Sequence, residues 1–263
     1  MKKRTLSLLL LVSLLGAVLT GCGGGSAEET PETRAAANTI TVGIAQDLDS
    51  SLDPHKTVKA GTREVMFNVF EGLMKPTPEG DLIPAVAENY TISDDETVYT
   101  FTLRDGVKFH NGDTVDADDV VYSIERCIDP EEADIVPVEA FANIASVEAT
   151  DEKTVVITLN EPSNEFVSYL TTAIIPADYD QQDTAPVGTG PFKFASRTAQ
   201  DSIVLEKFDE YWGTPAYLDT VTFKIIENAD SLLLSLQSGA IDLCSHLTST
   251  QTAQLGEEFQ ILE

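Results

Sequence analysis

Apolar and polar residues alternate over 39–45, with Ile40, Val42 and Ile44 on one side, so this stretch predicts a β-strand. The same period of two recurs at Tyr99, Phe101 and Leu103, and at Val155, Ile157 and Leu159. It returns at Ile203 and Leu205, and at Val221, Phe223 and Ile225. Ile241 to Cys244 reads as a further strand, and Gln260 to Glu263 as the start of another. A helical period replaces it at Val65, Met66, Val69, Phe70 and Leu73, predicting a helix that closes near Glu71 at Gly72. Val120, Val121, Ile124, Cys127 and Ile128 predict a second helix. Asp116 is its N-cap, with Asp118 and Asp119 in the first turn, where the helix dipole favours anions. Phe166, Val167 and Leu170 suggest a short helix after Pro162. A fourth, capped by Asp230, runs through Leu232, Leu233 and Leu236 to Gly239. A polar loop runs from Asp47 to Lys56, and Pro76 and Pro78 mark a break. Arg104-Asp105-Gly106 turns the chain into a hairpin continued by Val107 and Phe109. Asn111-Gly112 is a second turn, and Val187 to Pro191 a third. Strands and helices interspersed without strict βαβ alternation predict an α+β or mixed α/β fold.

The N-terminus carries a different pattern. Lys2, Lys3 and Arg4 precede a mostly apolar, uncharged run from Leu6 to Leu19. That run is shorter than the roughly 20 apolar residues of a membrane span, and it stands where a signal peptide stands. Leu19-Thr20-Gly21-Cys22, followed by Gly23-Gly24-Gly25-Ser26, resembles the bacterial lipobox. The resemblance implies cleavage before Cys22 and acylation there, palmitate included, and so a lasting membrane tether. Residues 1–22 are expected to be a lipoprotein signal peptide, and 23–38 a flexible linker too polar to build a core. The mature chain then stands outside the cytoplasm, lipid-anchored at the outer face of the cell membrane.

Charge narrows the function classes. The 263 residues hold 44 Asp and Glu against 16 Lys and Arg, a net charge of −28. Such a chain is repelled by nucleic acid and by anionic lipid, so no nucleic-acid partner is expected. Besides Cys22 there are Cys127 and Cys244, for which a disulfide and two buried thiols both stand as readings. His55, His110 and His246 lack a second ligand at helical or hairpin spacing. There is no His-Glu-x-x-His segment, Gly-x-Ser-x-Gly elbow or phosphate loop. No catalytic residue, metal or cofactor is expected, and the chain is read as a non-enzyme and a monomer.

Leu52-Asp53-Pro54-His55-Lys56, followed by Phe70-Glu71-Gly72-Leu73, resembles the opening of the family 5 extracellular solute-binding proteins, the peptide/nickel type of ABC importer. Pro84 to Glu88, Tyr99 to Arg104, Gly106 to Gly112 and Ala117 to Arg126 agree in order and spacing. So do Val187 to Phe192, Tyr211-Trp212-Gly213 and Ser238 to Asp242. The resemblance implies a two-lobed, periplasmic-binding-protein-like fold closing on a solute. Residues 39–72 and 186–263 would form an incomplete first lobe, and 73–185 an inserted α/β domain. A second lobe is expected beyond residue 263. It further implies capture of oligopeptides or dipeptides and delivery to ABC permease subunits. Nickel or metal chelates, heme and oligosaccharides are alternatives on the same fold. Alternatives of another class are an extracellular hydrolase or a surface interaction lipoprotein. The expected ligand-binding residues are Thr57, Val58, Lys59 and Ala60, which follow the Asp53-to-Lys56 motif, and Phe223 and Ile225, where the family's hinge strands pass the cleft.

Overall fold

The computed structural model describes residues 38–128, 130 and 133–261. The expected signal peptide, Cys22 and nearly all of the linker lie outside them. In chain order the elements are β1 (Thr39–Ile44), α1 (Ala60–Met66), β2 (Met74–Pro76), β3 (Leu82–Pro84), β4 (Ala87–Ile92) and β5 (Val98–Leu103). There follow α2 (Ala117–Glu125), β6 (Ile144–Asp151), β7 (Thr154–Leu159), α3 (Phe166–Tyr169), β8 (Phe192–Thr198) and β9 (Ser202–Lys207). The last are β10 (Thr220–Ile225), α4 (Ala229–Gln237), β11 (Leu243–Cys244) and α5 (Ser249–Thr252).

The fold is mixed α/β. One sheet has five strands in the order β11-β1-β10-β9-β8, with β1 parallel to both β10 and β11 and the other pairs antiparallel. A second, antiparallel sheet has the order β4-β5-β7-β6, and β2 and β3 form a small ribbon. Each large sheet has its own core. Val42, Ile44, Ile203, Leu205, Val221, Phe223 and Ile225 pack with Leu52, Val65, Met66, Val69 and Phe70 around the five-stranded sheet. Phe101, Phe109, Phe141, Ile157 and Phe166 lead the second core, which draws on Leu73 through Val187. Fully buried aromatic side chains of this size dominate such cores energetically.

The period-two strands form where expected, because β5 and β7 bury every second side chain. Asp116 caps α2: its Oδ1 accepts from Asp118 N at 3.0 Å and Asp119 N at 3.1 Å, and Asp119 returns the bond to Asp116 N.

Other expectations are corrected. The first helix ends at Met66, not near Glu71. Beyond it the carbonyls of Asn68, Val69 and Glu71 accept from Phe192 N, Gly190 N and Ile174 N. Bonds to distant segments replace the helical ones. Gly72 is therefore no helix cap; a Cβ there would lie 2.4 Å from the Leu170 carbonyl oxygen. Asn228, not Asp230, caps α4, accepting from Ser231 N at 2.8 Å. Residues Val107–Val115 close their own hairpin through Lys108 and Thr114, while β5 pairs with β4 and β7. The last strand covers only Leu243 and Cys244, and Gln260 and Ile261 are in no strand; Leu262 and Glu263 lie outside the described residues. Cys127 and Cys244 are both free thiols, so the disulfide reading falls.

Candidate functional site

The polar loop before α1 is fixed by a buried ion pair. Asp53 accepts from Arg126 Nη1 at 3.0 Å and Nη2 at 2.8 Å, a two-pronged contact that ties the loop to the end of α2. Asp53 also accepts from His55 N at 2.9 Å. Arg126 Nη1 donates to His55 Nδ1 at 3.1 Å, which makes Nε2 the protonated nitrogen, donating to the Ala173 carbonyl at 2.9 Å. Burial above all holds His55 below its ordinary pKa, against the upward pull of the Ala173 carbonyl and Asp53. The imidazole is neutral and fully committed, so its work is structural.

This clamp delivers the next residues to the surface. Thr57 is buried, and its carbonyl accepts from Arg63 Nε at 3.3 Å and Nη2 at 3.1 Å. Asp49 Oδ2 accepts from Val58 N at 3.2 Å and Lys59 N at 3.0 Å, setting the direction in which α1 leaves. Beside this loop opens a groove of about 360 Å³, within the range of roughly 300–1,000 Å³ usual for small-molecule sites. Its lining includes Pro54, His55, Thr57, Arg63, Met66, Phe67 and Phe70. Cys127, Val136-Pro137-Val138 and Thr171-Thr172-Ala173 complete the lining, and Val136 N and the Ala173 carbonyl both bond to His55. Burial pushes the Cys127 thiol up to about 12, so it is protonated and unreactive near neutral pH. Aromatic and aliphatic surface with one cation and several threonines suits an amphipathic small solute.

Among the expected binding residues, Thr57 lines the groove. Val58 points to solvent at 64% exposure, Ala60 is exposed at the start of α1, and Lys59 Nζ is held by the carbonyls of Asp47 and Leu48 at 3.3 and 3.2 Å. Phe223 and Ile225 pack in the core of the five-stranded sheet and do not line this groove. Sequence reasoning missed Arg63, Phe67 and the segments 136–138 and 171–173. Phe67 alone carried a signal: an aromatic off the apolar stripe, and it is 59% exposed.

Other motif residues have structural duties. Glu71 accepts from Tyr211 OH at 2.6 Å, Trp212 Nε1 at 2.7 Å and Lys75 Nζ at 2.9 Å. The cations of Lys75 and Arg104 lie 4.5 and 4.4 Å from the Trp212 ring centroid. This knot explains Tyr211-Trp212 without any ligand. His110 Nε2 donates to the Gly190 carbonyl at 3.0 Å, and burial lowers its pKa to about 4. His246 Nε2 lies 3.0 Å from Glu64. A larger space of about 910 Å³ lies between α4, β11 and the segment 245–261; none of the expected binding residues lines it. Among the described residues no three His, Cys, Asp or Glu side chains could hold a metal ion, and no helix is long and apolar enough to cross a membrane.

Residues 81–262 match the sequence profile described as bacterial extracellular solute-binding proteins, family 5 Middle. The glutathione-binding protein GsiB of Escherichia coli is 31% identical over 230 residues, 84% of this chain and 44% of that protein. Among solved structures, the ABC transporter-associated periplasmic binding protein DppA from Helicobacter pylori, in complex with peptide STSA, superimposes with a TM-score of 0.77 at 30% identity. The match covers 83% of this chain and 48% of that one. The binding protein AgaA from A. tumefacien R10, in complex with agropinic acid, gives 0.70 at 34% identity, covering 77% and 43%. The chain thus spans about half the length of the proteins it matches.

Proposed function

The chain belongs to family 5 of the bacterial extracellular solute-binding proteins, and from that membership we propose that it captures small peptides outside the cell for an ABC importer. The observation that carries the proposal is the groove beside Thr57, lined by segments far apart in the sequence and of a size for a small solute. A peptide would lie there partly through its main chain, which lets one site accept many sequences. The relatives named above, one binding glutathione and one solved with a peptide, support that ligand class. We read the protein as a binder and not a catalyst, since the Cys127 thiol stays protonated and His55 is committed to Arg126 and Ala173.

In this proposal residues 39–72 and 186–263 form the first lobe and 73–185 the inserted domain. Thr57 to Ala60 form one edge of the solute site, and Phe223 and Ile225 support it from the sheet behind. The Leu19-to-Cys22 motif supports anchoring through acylated Cys22, outside the cytoplasm and beside the permease subunits. The protein acts as a monomer. The test is to express the complete reading frame without residues 1–22 and identify co-purified small molecules by mass spectrometry. Heterogeneous short peptides are expected. A single metal chelate, heme or sugar would replace the peptide reading, and turnover of a peptide library would overturn the binding-only one.

A further inference from the structure

We infer that Arg63 is the residue that selects the solute, by pairing with a carboxylate the solute carries. The inference rests on the proposed solute site being the groove beside Thr57. In a chain with 44 acidic residues, the groove is lined by none of them. Its histidine is held neutral, so Arg63 is the one full charge in its lining. The other described arginines are committed: Arg126 to Asp53, Arg197 to Asp47, and Arg104 to the carbonyls of Ala85 and Ala87 under the Trp212 ring. Arg63 has no carboxylate partner among the described residues, and its side chain is exposed. It is nonetheless oriented, because Nε and Nη2 both donate to the Thr57 carbonyl. A guanidinium has five N–H donors in a planar fork. Two are used to aim the group, and the remainder are available to a second acceptor. A planar fork so held fits a carboxylate better than a hydroxyl or a carbonyl. The apolar part of the solute then lies against the apolar lining of Met66, Phe67, Phe70, Val136 and Val138.

Calorimetric titration of the purified full-length protein tests this with Ser-Thr-Ser-Ala, its C-terminal amide, and the amide with aspartate at the second position. The wild type is expected to bind the free acid roughly tenfold tighter than the amide, the scale of one charge-assisted hydrogen bond. R63Q should bring the acid down to the amide's affinity and leave the amide unchanged, with R63K restoring part of the difference. Recovery of affinity by the aspartate peptide would extend the pairing to a side-chain carboxylate. Equal binding of acid and amide by the wild type, or an equal loss of both in R63Q, would overturn the role of Arg63 and leave solute capture standing. Binding of no peptide at all would instead remove the peptide reading, and this inference with it.

Discussion

Single residues in this chain act through what they hold in place. Asp53 and Arg126 are 3% and 10% exposed at the side chain, and their contact fixes both His55 and the loop that leads to Thr57. Such a pair adds little over apolar packing, but taking one partner's charge away is expensive. D53N is expected to lower stability by about 3 kcal/mol, read as a shift of the urea midpoint at unchanged slope. No shift would mean that the loop is held by other contacts. His110 offers a pH test. Its pKa falls from 6.5 to about 4 on folding, so as pH drops the unfolded chain takes up the proton first. The contribution of neutral His110 is whole above the unfolded value and drains away between about 6.5 and about 4. The difference in stability between wild type and H110Q should therefore be larger at pH 7 than at pH 4, by up to about 3 kcal/mol. A constant difference across that range would show that His110 titrates normally.

At the scale of elements, what was legible in the sequence depended on how many side chains each element buries. β5, β7, β9 and β10 bury alternate positions and announced themselves. β4 and β6 lie at the edges of their sheet and β8 at the edge of the other, each with a largely exposed pattern that carries no period. β2 and β3 each end in proline, which reads as a break. The apolar residues Val69, Phe70 and Leu73 kept a helical spacing but are buried beyond the end of α1, where three carbonyls bond to segments over a hundred residues away. The same limit governs the site. Thr57 could be read beside its motif, whereas Val136 to Val138 and Thr171 to Ala173 reach the groove only through tertiary packing. Two glycines separate local from tertiary demands. G61A meets nothing within 4 Å in α1 and should stabilise by about 0.5–1 kcal/mol through helix propensity. G72A would press on the backbone of Leu170, Thr171 and Thr172 and should cost about 1–3 kcal/mol. Thermal melts of the two variants moving in the same direction would contradict this division.

For the whole molecule the governing quantity is charge. Residues 1–22 hold three cations and no anion, so the rest of the chain is more acidic than the −28 of the full sequence. Two effects of added salt then compete. Screening weakens exposed ion pairs such as Lys108–Glu210 and Lys153–Asp105, but pairs of that kind contribute at most about 1 kcal/mol each. Screening also relieves repulsion among carboxylates that far outnumber the cations, a destabilising load that compactness itself imposes. With few exposed pairs to lose and a large excess of like charge, relief wins. The melting temperature should rise by several degrees from low to moderate sodium chloride. Most of the rise belongs below about 0.1 M, where the screening length contracts from about 30 Å at 0.01 M to about 10 Å. A fall over that interval would mean that the ion pairs, and not the uncompensated carboxylates, set the balance. The buried pair of Asp53 and Arg126 supplies an internal control. Its interaction is screened far less than an exposed one, so the stability lost in D53N should stay nearly constant while the melting temperatures of both proteins climb together with salt.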